Sequence, residues 1–136
     1  MECIGVYVSS LNGCHYCVEH HFQGMRRLVG DDGRSDALRA AIEADQLAGA
    51  PLDAREIAGM GYARKLTVEP AAMVENDVEA LREAGLDDGE ILEINQVTAY
   101  FCYANRTVLG LGVNTDGDII GLSPNNSDDP EDWGHR

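Results

Sequence analysis

Basic residues are scarce in this chain. Ten lysines and arginines face 24 aspartates and glutamates, a formal net charge of -14, and all but one of the basic residues are arginine, Lys65 being the exception. Such a balance repels phosphate backbones and anionic lipid, which excludes nucleic acid and membrane surfaces as expected partners. Long apolar runs are missing too. Nothing approaches the ~20 residues that span a bilayer, and no charged segment precedes an apolar stretch at the start, so the expectation is a cytoplasmic protein. With only four prolines and little β-branched alternation, a sheet-dominated fold is excluded as well. Four cysteines, Cys3, Cys14, Cys17 and Cys102, could close two disulfides. A helical chain of 136 residues does not need such staples, because folding at this size buries roughly two-thirds of the unfolded surface. One domain is expected, and no repeat of solenoid period is visible.

What is present is helical punctuation. Ile4, Val8 and Leu11 recur at helical spacing from Glu2 to about Leu11, where Asn12-Gly13 breaks the pattern. A second helix opens near Cys14 and runs through Val18, Phe22, Met25 and Leu28 to Val29, stopping at Gly30. "GDDGRS" reads as a loop and Asp36 to Ala44 as a short helix. Asp53 with Glu56 has capping-box spacing and starts a segment through Ile57 and Leu66. Pro70 suits the first position of a helix that ends at Gly85. Asp87 with Glu90 repeats the capping signal before a long helix to about Gly110, whose stripe Ile91, Ile94, Thr98, Phe101, Asn105 and Val108 faces a core. Beyond it, Asp116-Gly117 forms a turn or short hairpin, and an acidic, loosely held tail follows.

The chemistry concentrates in "SSLNGCHYCVEHH", Ser9 to His21, which holds two cysteines and three of the four histidines. If Cys14 begins a helix, Cys14, Cys17 and His21 lie along one face, because residues three and four apart are neighbours. The first turn carries unpaired N–H groups and the positive end of the helix dipole, both of which favour a thiolate. An imidazole one turn on can take the proton, and the second cysteine can resolve an oxidised first one into a disulfide. Cys14, the nearer to the helix start, is expected to be the more exposed. Zinc is the competing reading, since Cys14, Cys17, His20 and His21 are ligand types found in tetrahedral sites. Structural zinc sites, however, join two knuckles across a loop of about a dozen residues, and adjacent histidines diverge by ~100° on a helix. His15 is expected to face solvent and His20 to make an ordinary polar contact. Asn105 and Arg106 are either polar contacts or site residues, and Cys3 and Cys102 are packed apolar side chains.

Read backwards from Cys14, the pattern is Glu2-x11-Cys14-x2-Cys17-x3-His21. It resembles the active-site pattern of the alkyl hydroperoxidase D (AhpD)-like family of the carboxymuconolactone decarboxylase superfamily. "VSSLNGCHYCVEHH" is closer still to the peroxidase-related branch, and "YARKLTVEP", "DVEALREAGLDDGEILEI" and "YFCYANRTVLGLGV" are similar to its downstream segments. The resemblance covers roughly residues 1–113 and leaves 114–136 as the acidic tail. It implies an all-α, AhpD-like helical domain that assembles as a homo-oligomer, a dimer, trimer or hexamer. It also implies a thiol-dependent peroxidase in which Cys14 and Cys17 cycle between dithiol and disulfide, with His21 as base and Glu2 as its partner. The substrate would be a hydroperoxide, and the reductant a dithiol such as thioredoxin, lipoamide or a low-molecular-weight thiol, with no metal, flavin or haem required. Family members have further helices ahead of the glutamate, whereas this chain begins one residue before it, so a domain lacking those helices is expected. Tyr16 stands where the family motif often has a histidine. The alternatives are a carboxymuconolactone-type decarboxylase and a zinc-binding or non-catalytic helical module.

Overall fold

A computed structural model describes residues 1–118, 120 and 121; the acidic tail from 122 onward, with the Asn125-Asn126-Ser127 sequon, lies outside the described residues. The described chain is all-helical, with no strand. Its order is α1 (Glu2–Leu11), α2 (His15–Val29), α3 (Asp32–Glu43), α4 (Ala54–Val68), a 3-10 turn (Pro70–Ala72), α5 (Glu75–Glu83) and α6 (Asp88–Gly110). The region around Asp116-Gly117 is a turn closed by the Asp118 N–H on the Thr115 carbonyl at 3.2 Å. No helix among the described residues is long and apolar enough to cross a membrane.

α1 is the hub. Six consecutive residues, Ile4 to Ser9, are buried, and a helix apolar all round must be surrounded. It is: α2, α3, α4 and α6 all pack on it. Val6, Val8, Met25, Leu38, Ile42 and Met60 are almost wholly excluded from water around it, and each such side chain contributes about 1.5–3 kcal/mol of transfer free energy. The closest approach is at Gly5, where the ring of Phe101 on α6 lies where a side chain would otherwise project.

The capping signals act as their chemistry requires. Asp53 and Asp87 each accept the N–H three residues on, and Glu56 and Glu90 each reach back to the cap's own N–H. Gly30 ends α2 in the left-handed conformation, φ 65°. Two boundaries differ from the sequence reading. α3 begins at Asp32, not Asp36, because the Asp31 carboxylate accepts the Arg34 N–H at 2.8 Å and the Ser35 hydroxyl donates to the Asp31 carbonyl. That cap outweighs the loop-like look of "GDDGRS". Pro70 starts only a single 3-10 turn, because Met73 is extended at ψ 135°. α5 then starts afresh at Glu75, with the Asp77 carboxylate accepting the Val74 N–H at 2.8 Å.

Candidate functional site

The thiol pair is placed by the way α1 ends. Gly13 takes φ 69°, its N–H donates to Ser10, and the Cys14 N–H donates to the Ser9 carbonyl at 2.9 Å. These are the two bonds of a Schellman turn, whose last residue normally packs inward. Cys14 is at once that last residue and the residue that caps α2, its carbonyl accepting the Val18 N–H at 3.0 Å. Its side chain is consequently 0% exposed, against 6% for Cys17. The expectation that Cys14 is the more exposed cysteine is thus corrected: the turn drives it into the core.

Both are free thiols. Burial pushes the Cys17 thiol up to about 12, the neighbouring Cys14 thiol pushes the same way, and the Asn105 side chain opposes them. The expected preference for a thiolate is reversed at Cys17, because desolvation penalises its charge more than the hydrogen bonds it receives stabilise it. Cys14 also forms part of the wall of a cleft of about 150 Å³, with Tyr16, Leu109 and Val113 among its neighbours there. A larger apolar cleft of about 270 Å³ lies at the other end of α1, beside Cys3, and includes neither cysteine of the pair.

His21 and Glu2 form the second pair. His21 Nδ1 lies 3.0 Å from Glu2 Oε2, and this bond, outweighing burial, holds the Glu2 carboxyl below the usual range. An ionised carboxylate can only accept, so Nδ1 carries the hydrogen of this bond, and whenever the ring holds a single proton its Nε2 is an acceptor. Phe101 sets the ring's angle by an edge contact, with centroids 4.6 Å apart. A Cβ at Gly24 would stand 3.4 Å from the carboxylate, an ordinary contact. The structure therefore brings Cys14 to Cys17 and Glu2 to His21, and the two pairs are linked by the single helical turn from Cys17 to His21 rather than by a direct hydrogen bond.

The remaining histidines divide. His15 is 77% exposed beside Glu19. His20 stacks on Tyr16 at 4.5 Å, accepts the Gly121 N–H at Nδ1 and places Nε2 3.4 Å from Asp118, so the segment after α6 lies against α2 near the cysteines. No group of three or more His, Cys, Asp or Glu side chains among the described residues is arranged to hold a metal ion.

Asn105, Ser9 and Asn12 form a hydrogen-bonded set where the end of α1 meets α6. Asn105 and Ser9 are both 0% exposed. The Asn105 amide donates to Ser9 Oγ at 3.0 Å, and its oxygen accepts from Asn12 Nδ2 at 3.0 Å. Asn12 also approaches Cys102 Sγ at 3.8 Å, and that sulfur lies 3.8 Å from Thr67 Oγ1. The sequence reading raised Asn105, with Arg106, as either a polar contact or a site residue; Asn12 was read only as part of the break after α1, and Ser9 was given no role of its own.

Comparison with solved structures finds several matches, among them two peroxidase-related proteins. A crystal structure of an uncharacterized peroxidase-related protein from Silicibacter sp. TM1040 matches at TM-score 0.72 and 36% identity, covering 82% of this chain and 56% of that one. A second, an alkylhydroperoxidase AhpD core and uncharacterized peroxidase-related protein from Ralstonia eutropha JMP134, matches at TM-score 0.73 and 29% identity, covering 83% of this chain and 57% of that one. The chain thus spans a little over half the length of each. No protein-family model and no curated protein matches it.

Proposed function

From the AhpD-like, peroxidase-related family that these likenesses support, we propose that the chain is a thiol-dependent peroxidase that reduces hydroperoxides with Cys14, Cys17 and His21, Glu2 orienting the imidazole. The observation that carries this reading is the pair of buried neighbouring thiols at the start of α2, with a carboxylate-held imidazole one turn beyond them.

In the first step a thiolate attacks the terminal oxygen of the hydroperoxide. The S–O bond forms, the O–O bond breaks, and the departing alkoxide takes a proton to leave as the alcohol. Cys14, in the wall of the cleft of about 150 Å³, is assigned as the thiol that meets the oxidant, which requires the cleft to open toward its 0%-exposed side chain. In the second step Cys17 attacks the Cys14 sulfenic sulfur; the S–S bond forms and the hydroxyl leaves as water. His21 Nε2 is the acceptor available to move these protons, and an external dithiol returns two electrons and two protons by thiol–disulfide exchange. A general base in such a role is worth ~10²–10⁴ in rate. No step calls on a metal, flavin or haem. Thioredoxin, lipoamide and low-molecular-weight thiols are the reductant classes that fit.

Self-assembly belongs to the same proposal. Leu92, Tyr100 and Tyr103 on α6 are 56%, 60% and 70% exposed, an apolar face suited to a second copy. Tyr100 touches Phe101, which touches His21, so assembly there would adjoin the site. Hydroperoxide consumption with a dithiol donor tests the activity, with light scattering for subunit number; loss of turnover in Cys14→Ser, Cys17→Ser and His21→Ala is the expected result. Unchanged turnover in any of the three would remove that residue from the scheme.

A further inference from the structure

We propose that the segment following α6, residues 113–118 with Gly121, is a strap that closes the cleft over Cys14, and that its release from His20 and Arg27 on α2 lets the oxidant reach the thiol. The inference rests on the peroxidase reading above, in which a thiol with 0% exposure must meet a hydroperoxide.

The strap shares the cleft with the thiol. Val113, Asn114 and Thr115 line the same space of about 150 Å³ as Cys14 and Tyr16. The chain then folds on itself, the Asp116 N–H donating to Asn114 Oδ1 at 2.8 Å and the Asp118 N–H to the Thr115 carbonyl at 3.2 Å. Three side-chain contacts hold this turn and Gly121 to α2. His20 Nδ1 accepts the Gly121 N–H at 3.3 Å, Arg27 Nη1 donates to the Gly121 carbonyl at 3.1 Å, and the Asp118 carboxylate lies 3.4 Å from His20 Nε2. The fit is close, since a Cβ on Gly121 would stand 2.5 Å from that of Gln23.

These fastenings are weak. Among the described residues no backbone-to-backbone bond joins the strap to α2, and the Gly121 bond at 3.3 Å is longer than the usual N–H contact. An Nδ1 that accepts carries no hydrogen, so a ring with one proton holds it on Nε2. That atom is buried without a hydrogen-bond partner among the described residues, the carboxylate nearby notwithstanding. An unmet buried donor is a cost of the closed form that opening relieves. The exit from α6 is equally loose: Gly112 takes φ 69° with no atom within 4 Å of where a Cβ would be, and Leu111 and Val113 are 76% and 44% exposed. A segment held by a few side-chain bonds and hinged at a glycine opens well below the free energy of global unfolding. Cys14 stays where it is, because its own backbone bonds run to Ser9 and Val18, so opening uncovers the thiol without displacing it.

The test reads Cys14 directly. In a Cys17→Ser background, the rate of Cys14 alkylation by iodoacetamide is followed by peptide-mapping mass spectrometry at a series of low urea concentrations. A covered thiol reacts only in the open form, so its rate scales with the open population. Gly121→Ala sets a side chain against Gln23 at a residue with φ 82°, and should lift the strap. The expected result is alkylation about tenfold faster than in the parent, the scale of one or two hydrogen bonds, with little dependence on urea, as befits a local opening. Arg27→Met, an exposed change that removes the bond to the Gly121 carbonyl, should act the same way by about threefold and decides the matter alone if Gly121→Ala does not fold. A rate equal to the parent's overturns the proposal, as does a faster rate that climbs with urea as steeply as global unfolding, since the substitution would then merely destabilise the fold. No peroxide enters this assay, so failure of the peroxidase reading shows separately, as absence of hydroperoxide consumption by the unaltered protein.

Discussion

Replacing Gly5 by alanine tests how tightly the site is wedged. A Cβ there would stand 2.6 Å from Phe101 Cε2, 3.0 Å from Cε1 and closer still to Cζ, where carbon atoms settle at ~3.5–4.0 Å. The ring is only 7% exposed and is bounded by His21 at 4.6 Å and Tyr100 at 5.6 Å, so it has no open side. Overpacking of this kind costs ~1–3 kcal/mol, and overlap with three ring atoms puts it near the top of that range. Alanine recovers ~1 kcal/mol of helix propensity over glycine. The clash wins, leaving a net loss of about 2 kcal/mol, or about 8 °C in melting temperature at ~4 °C per kcal/mol for a chain of this length. Thermal unfolding followed by circular dichroism reads this, and adding Phe101→Leu should restore much of the loss, giving a clear coupling energy. A Gly5→Ala protein that melts at or above the parent would refute the packing argument, because propensity alone would then be in control.

Other outcomes follow from the same contacts. His21→Ala should slow hydroperoxide reduction by ~10²-fold or more, and Glu2→Gln by about tenfold, since the amide still touches the ring but no longer stabilises its charge; steady-state kinetics with a dithiol donor separates them. Glu2 titrates below its ordinary 4.5, so its pairing stabilises the fold above about pH 4.5 and is lost as pH falls through the lower folded value. Urea unfolding at a series of acid pH values should show that slope flattened in Glu2→Gln. Asp45 is a non-glycine residue at φ 51° that accepts from the Tyr7 hydroxyl and pairs with Arg64. Asp45→Gly would release ~1–2 kcal/mol of left-handed strain but orphan a hydroxyl on a side chain only 1% exposed, at ~1–3 kcal/mol, with the Arg64 pair lost besides. Urea unfolding should therefore show a net loss of about 1 kcal/mol rather than the gain usual for glycine at such a position.

How much of this was legible depends on the range of the interaction. α1, α2 and α6 could be read nearly to the residue because their ends are local: Asn12-Gly13, Gly30, and Asp87 with Glu90. The start of α3 was missed because a single aspartate's cap prevailed over a composition rich in turn formers. The thiol and imidazole spacing was visible for the same local reason, being two turns of one helix. The order of burial of the two cysteines was not, since it depends on an inward turn and on side chains from α6 such as Leu109. Nor was the pairing of Ser9 with Asn105 across 96 positions, which no local pattern encodes.

The central claim is most directly tested by intact mass measured before and after one equivalent of hydroperoxide is consumed. The account predicts a loss of two hydrogens, mapped to a Cys14 to Cys17 linkage and reversed by a dithiol. Hydroperoxide left unconsumed, or consumed with both thiols still alkylatable afterwards, would contradict it.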